Sequence, residues 1–225
     1  LKGGSEATES NQALFNCIQE TINTIDPRFT DSLQLATSRD QIDDLLRMDD
    51  LVDLIIPRGS PDLVRSIQDR TRIAVLGHAD GICHVYVDAS ADLEQALAII
   101  VDAKTEYPAV CNAAETLLVH ADAAERLLPR LRNAMPQVEL RGDKRVGSLI
   151  DVAEASETDW DTEYLELILA VKIVDDLQEA IAFINQHGSG HTDAIVTTDQ
   201  QAADAFFSQI DSASVLCNCS TRFAD

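Results

Sequence analysis

Hydrophobic positions along this chain follow two alternating rhythms. Between residues 91 and 105, Leu93, Ala96, Leu97, Ile100 and Val101 recur at helical spacing, with Asp92 and Glu94 in the first turn of the segment. Residues 82–87 and 116–119 instead form short, continuous apolar runs of the kind that a strand buried on both faces requires. Taken through the first third of the chain, the alternation predicts helix at 11–22, strand at 33–36, helix at 40–48, strand at 52–56, helix at 61–68 and strand at 73–76. Such a succession is the signature of crossovers in a parallel sheet, here half of a doubly wound nucleotide-binding domain.

After Gly77-His-Ala-Asp-Gly81 the rhythm restarts. It predicts strand 82–87, helix 91–105, strand 116–119, helix 121–133 and an irregular charged stretch at 141–161. Strand 165–174, helix 177–186, strand 194–196, helix 200–207 and strand 214–216 follow. The expected fold class is therefore α/β, with a partial doubly wound domain over 1–80, a second α/β domain over 81–212 and a return segment over 213–225.

Composition narrows the functions. With 225 residues and 45% hydrophobic content the chain can bury a substantial core. Its formal charge of −22, from 39 acidic and 17 basic residues, repels phosphate backbones and anionic lipid, which excludes nucleic acid and membrane surfaces as expected partners. No apolar run approaches the roughly 18 residues of a membrane span, and nothing resembles a signal peptide, so the expectation is a soluble, cytoplasmic protein. Cys17, Cys83, Cys111, Cys217 and Cys219 contain no Cys-x-x-Cys pair, which fits a reducing compartment. Two glycines interrupt His187-Gly-Ser-Gly-His191, so no helix brings those imidazoles onto one face, and no metal is expected.

The segment that bears most on chemistry is Tyr107-Pro-Ala-Val-Cys111-Asn-Ala-Ala-Glu-Thr-Leu-Leu-Val-His120. Pro108 stops the preceding helix, and an apolar strand follows, so Cys111 occupies a loop between two packed elements. A thiolate there is suited to capturing an acyl group, whereas a cysteine packed as a small hydrophobe is inert; preferential alkylation of Cys111 over Cys17 and Cys83 separates the two. Arg58-Gly59-Ser60 closes an apolar strand and opens a helix whose free N–H groups favour an anion, although serine there is also simply a good cap.

Five words in register (the Cys111 segment, Gly81-Ile-Cys-His-Val-Tyr-Val-Asp88, Ile56-Pro-Arg-Gly-Ser60, Leu1-Lys-Gly-Gly-Ser-Glu6 and Ser220-Thr-Arg-Phe223) resemble the gamma-glutamyl phosphate reductases, a branch of the aldehyde dehydrogenase superfamily. The resemblance runs over essentially all 225 residues and implies that Cys111 is the catalytic nucleophile of the second domain. It implies NADPH as the cofactor, reducing gamma-glutamyl phosphate to glutamate-5-semialdehyde in proline biosynthesis. By the same resemblance Lys2, Ser5, Gly59, Ser60 and Glu163 contact the cofactor, while Ser220, Thr221 and Arg222 border the substrate. Ser5 stands where NAD-preferring relatives carry glutamate, and losing that carboxylate relieves repulsion of a 2′-phosphate. Residues 77–81 contain no glutamate where oxidising relatives place the general base for deacylation. Arg222 is a candidate partner for the substrate α-carboxylate, which its planar fork of donors matches.

The resemblance further implies a homo-oligomer at full length, coupling to a glutamate 5-kinase as in bifunctional relatives, and a chain that is an internal stretch of about half the enzyme. Expressed alone, residues 1–225 are expected to be poorly soluble or inactive. Two alternatives stand beside this reading: a CoA-acylating aldehyde dehydrogenase, and a non-catalytic α/β binding module.

Overall fold

The computed structural model describes residues 5–77 and 80–224 and resolves into two compact units, residues 1–79 and 80–225. The first unit carries helix α1 (Thr8–Ile25), a 3-10 turn (Pro27–Ser32), helix α2 (Arg39–Leu45), strand β1 (Leu54–Ile55), helix α3 (Pro61–Arg70) and strand β2 (Ala74–Val75). Local chemistry sets the helix starts. The Ser38 hydroxyl accepts from the Gln41 N–H while the Gln41 side chain reaches back to the Ser38 N–H, a capping box that opens α2. Ser60 caps α3 with a single bond, its hydroxyl accepting from the Leu63 N–H.

β1 and β2 pair in parallel, Leu54 opposite Ala74 and Ile55 opposite Val75. The strand expected at 33–36 does not form. The segment has no ladder partner among the described residues, and Gln19 Nε2 takes the Leu33 carbonyl at 2.6 Å. A strand needs a neighbour to satisfy its backbone, and apolar patterning alone does not supply one.

The second unit is built on a seven-stranded, wholly parallel sheet. In chain order it runs β3 (Cys83–Val87), α4 (Leu93–Thr105), β4 (Ala114–His120), α5 (Ala121–Ala134), β5 (Glu139–Gly142), α6 (Lys144–Gly147) and β6 (Ala153–Glu154). A 3-10 turn (Glu157–Asp161) precedes β7 (Ile168–Val174), α7 (Leu177–His187), β8 (Thr192–Val196), α8 (Gln200–Gln209), β9 (Ser214–Cys217) and a final 3-10 turn (Thr221–Ala224). The strand order is β6-β5-β7-β4-β3-β8-β9.

Alternate side chains of each strand point to opposite faces. Val85, Val87, Leu117, Val119, Leu169 and Val171 pack against α4 and α5, where Ile100, Leu127, Leu128 and Leu131 are completely or almost completely buried. Tyr86, Leu118, Val174 and Ile195 meet α7 and α8 through Ile181, Ile184 and Phe206. Each fully buried leucine of this kind contributes roughly 1.5–3 kcal/mol. Three of these helices start on an aspartate, with Asp92, Asp176 and Asp199 accepting backbone N–H groups at the heads of α4, α7 and α8.

The stretch expected to be irregular, 141–161, holds β5, α6 and β6 instead. Leu140 is buried between Glu139 and Arg141, whose charges mask the strand's alternation; in the folded chain Arg141 bonds Glu139 at 2.7 Å and Asp159 at 2.8 Å.

Candidate active site at the N-terminal edge of the sheet

Open parallel sheets usually hold ligands at the carboxyl ends of their strands, where neighbouring crossovers depart in opposite directions. In this sheet that point lies between β3 and β8, and it is filled by the protein's own side chains. The Asp88 carboxylate accepts from the Ser90 N–H at 3.2 Å, the Ser90 hydroxyl at 2.7 Å and the Thr197 hydroxyl at 2.8 Å. Asn218 closes over it with bonds to both the N–H and the carbonyl of Thr197. Burial pushes the Asp88 carboxyl up, but the hydrogen bonds from Ser90 and Thr197 outweigh it and hold the group below its ordinary value.

Cys111 lies at the other edge. It sits in a tight turn, closed by the Ala113 N–H bonding the Val110 carbonyl at 3.0 Å, immediately before β4. The cysteine is partly exposed, whereas Asn112, Ala113 and Ala114 behind it are buried. Gly81 forms its floor: a Cβ at that position would stand 2.2 Å from the Cys111 carbonyl oxygen and 2.6 Å from its Cα, so only glycine lets the two backbones approach. The buried Cys83 thiol donates to the same carbonyl at 3.2 Å and lies 3.9 Å from His191 Nδ1. Burial, with the charge of Asp193 added, pushes the Cys83 thiol well above its usual value, so it stays protonated and keeps donating.

Asn112 ties this turn to the end of the chain. Its side-chain N–H donates to the Arg222 carbonyl at 3.4 Å, and Arg222 Nη1 donates back to Asn112 Oδ1. Ser220 accepts from the Arg222 N–H at 3.3 Å, and Ser220 and Thr221 are buried. Two polar atoms here are buried without a hydrogen-bond partner among the described residues, Thr221 Oγ1 and Arg222 Nε. A guanidinium held at Nη1 by Asn112, the residue after Cys111, with its Nε unbonded among the described residues, is a donor set suited to an anionic ligand.

A second cluster adjoins it. Lys104 in the last turn of α4 and Glu115 at the start of β4 are completely buried and meet at 2.5 Å. Burial pushes the Glu115 carboxyl up and the Lys104 ammonium down, and their mutual attraction opposes both shifts. The half-buried Glu163 stands within electrostatic reach, its charge adding to the upward push on Glu115. Glu115 Oε1 also accepts from the N–H of Leu165, a residue at φ +56°.

The structure thus gathers Cys111, Ser220, Thr221 and Arg222 around the Asn112 link and brings Glu163 beside Glu115. Gly59 and Ser60 belong to the first unit. Gly59 has φ +155°, a backbone that favours glycine, and Ser60 opens α3. Lys2 lies outside the described residues, as do His78, Ala79 and the side chain of Ser5; the Ser5 backbone starts a 3-10 turn. Sequence reasoning passed over the Asn112 side chain, Lys104 and Glu115. Glu115 had a signal, an ionisable residue inside the mostly apolar run 113–119, whereas Lys104 stands among Asp102, Thr105 and Glu106 and had none.

No helix among the described residues is long and apolar enough to cross a membrane. Residues 13–167 and 158–225 match the model of the aldehyde dehydrogenase family. The chain is 54% identical to the gamma-glutamyl phosphate reductase of Trichormus variabilis, aligning over all of this chain and 52% of that protein. It superposes on the crystal structure of the gamma-glutamyl phosphate reductase of Thermotoga maritima with a TM-score of 0.91 at 39% identity, covering 99% of this chain and 55% of that one. A glyceraldehyde-3-phosphate dehydrogenase of Methanocaldococcus jannaschii, solved with NADP, shares the fold at a TM-score of 0.75 and 15% identity, over 99% of this chain and 58% of that one. The chain spans about half the length of the curated relatives it matches.

Proposed function

The chain belongs to the aldehyde dehydrogenase family, and from that premise we propose that the full-length protein reduces gamma-glutamyl phosphate to glutamate-5-semialdehyde through a thioester on Cys111. The observation that carries the reading is the partly exposed Cys111, seated on Gly81 and linked through Asn112 to the incompletely bonded guanidinium of Arg222. The likeness to named gamma-glutamyl phosphate reductases supports the choice of substrate.

In this mechanism the Cys111 thiolate attacks the acyl carbon, the bond from that carbon to the phosphate oxygen breaks, and inorganic phosphate leaves. NADPH, when bound, supplies the hydride that converts the thioester to a thiohemiacetal anion. Collapse of that anion re-forms the carbonyl, expels the Cys111 thiolate and releases the aldehyde. Arg222 holds the substrate α-carboxylate with the donors that Asn112 leaves available, and Ser220 and Thr221 shape that side of the pocket.

The residues assigned to NADPH suit a dinucleotide. In the first unit Gly59 and Ser60 at the head of α3 would meet the pyrophosphate, and in the second unit Glu163 would offer a carboxylate to a ribose hydroxyl. Water must be kept from the thioester until hydride arrives. Residues 77–81 supply no glutamate to activate that water.

The test is Cys111→Ala in the full-length protein, assayed in both directions with NADP(H). Activity should fall by on the order of 10⁴-fold or more with folding intact. Normal turnover by that variant removes the thioester mechanism.

A further inference from the structure

We propose that the buried Lys104–Glu115 pair is a positioning unit that sets the turn bearing Glu163 against the turn bearing Cys111. The inference rests on the reading above for the role of Glu163, but its geometry stands independently.

Lys104 and Glu115 are eleven positions apart and bracket the connection that carries Cys111, so their 2.5 Å contact ties the two ends of that connection together. One carboxylate oxygen, Oε2, meets the ammonium. The other, Oε1, accepts from the Leu165 N–H at 3.3 Å, fifty positions further along the chain. A single buried carboxylate therefore joins the end of α4, the start of β4 and the 163–165 turn.

Leu165 needs such a hold. At φ +56° it occupies left-handed backbone, which a branched side chain adopts only when its surroundings impose it. Neighbouring contacts fix the rest of the turn. The Lys104 ammonium lies 5.9 Å from the Tyr164 ring centroid, the Arg141 guanidinium lies 5.2 Å from it, and the Tyr164 hydroxyl donates to Asp159 at 2.7 Å. Packing alone would be served as well by two apolar side chains of the same size, which commonly replace a buried ion pair without loss of stability. What such a replacement lacks is an acceptor for the Leu165 N–H.

The experiment uses two double variants of the full-length protein, K104M/E115L and K104M/E115Q. The first fills the space without an acceptor, and the second restores one. In K104M/E115L the Leu165 amide should exchange with solvent deuterium at least about tenfold faster, and the KM for NADPH should rise about ten- to a hundredfold, with the KM for gamma-glutamyl phosphate changed far less. K104M/E115Q should return both quantities toward the parent values. Unchanged exchange at Leu165 in K104M/E115L overturns the proposal. Faster exchange with an unchanged KM supports the hold but removes the Glu163 turn from the cofactor site. If K104M/E115L fails to fold, the unmodified protein still decides: its Leu165 amide must be protected, and exchange at the rate of a free amide overturns the proposal without any variant.

Discussion

At the carboxyl edge of the large sheet, Asp88, Ser90, Thr197 and Asn218 spend their hydrogen bonds on one another. At the amino edge, Thr221 and Arg222 keep buried polar atoms without partners among the described residues, and His84 Nε2 and Thr116 Oγ1, on directly paired positions of β3 and β4, do likewise. Both edges are polar and both lie at the ends of the same strands. A closed network stabilises the joint between β3, β8 and β9, but it offers a ligand nothing, because any new contact must first break an existing one. Incompletely satisfied groups cost stability, and they persist where a ligand completes them. The contrast supports the chemistry proposed at the amino edge, even though crevices in parallel sheets more often form at the other.

Substitutions on the two edges test that contrast. The largest effect is expected from Gly81→Ala at the amino edge, since the added Cβ meets backbone atoms of Cys111 that cannot swing aside. In the full-length protein kcat/KM should fall by about a hundredfold, and alkylation of Cys111 should change rate in parallel. Unaltered kinetics would mean that the Cys111 turn tolerates displacement, and the contrast between the edges would lose its basis.

Asp88→Ala should do the reverse. It removes the shared acceptor of the Ser90 N–H and of the Ser90 and Thr197 hydroxyls, costing about 1–3 kcal/mol in urea unfolding, while kcat/KM stays close to that of the parent. A large kinetic defect with little loss of stability would move the functional edge to the carboxyl side.

The smallest effect concerns acid. Burial pushes the Asp159 carboxyl up, but hydrogen bonds from Ser156, Arg141 and Tyr164 overcome it and hold the group well below the ordinary range of an aspartate. A carboxyl depressed in the folded state contributes stability that is present above the unfolded value and is lost as the pH falls below it. Asp159→Asn should therefore be less stable than the parent at neutral pH, and the gap should narrow below about pH 4. A gap that stays constant with pH would show that Asp159 acts through shape alone.

Much of this architecture was legible in the chain because it is local. Helical spacing across 93–101, the aspartate caps and the apolar runs of β3 and β4 each depend on residues within a few positions of one another. The Cys111 turn was legible for the same reason, with Pro108 ending the preceding segment and an apolar run beginning the next. Where the reading failed, the missing information was a neighbour. Residues 33–36 have the composition of a strand and no ladder partner among the described residues, whereas β5 has neighbouring strands and a composition disguised by Glu139 and Arg141.

By itself, then, the sequence determined most of the helices and the apolar core strands, where the thiol stands between them and, through five short words in order, the family. The tertiary structure alone decided what that thiol faces. Asn112 meets Arg222 across 110 positions, Glu115 meets Leu165 across 50, and Gly81 proves indispensable only because the Cys111 backbone lies against it. Periodicity reports the side of an element on which a residue falls; which distant residue waits there depends on strand order and register, and those are settled only when the whole sheet is paired.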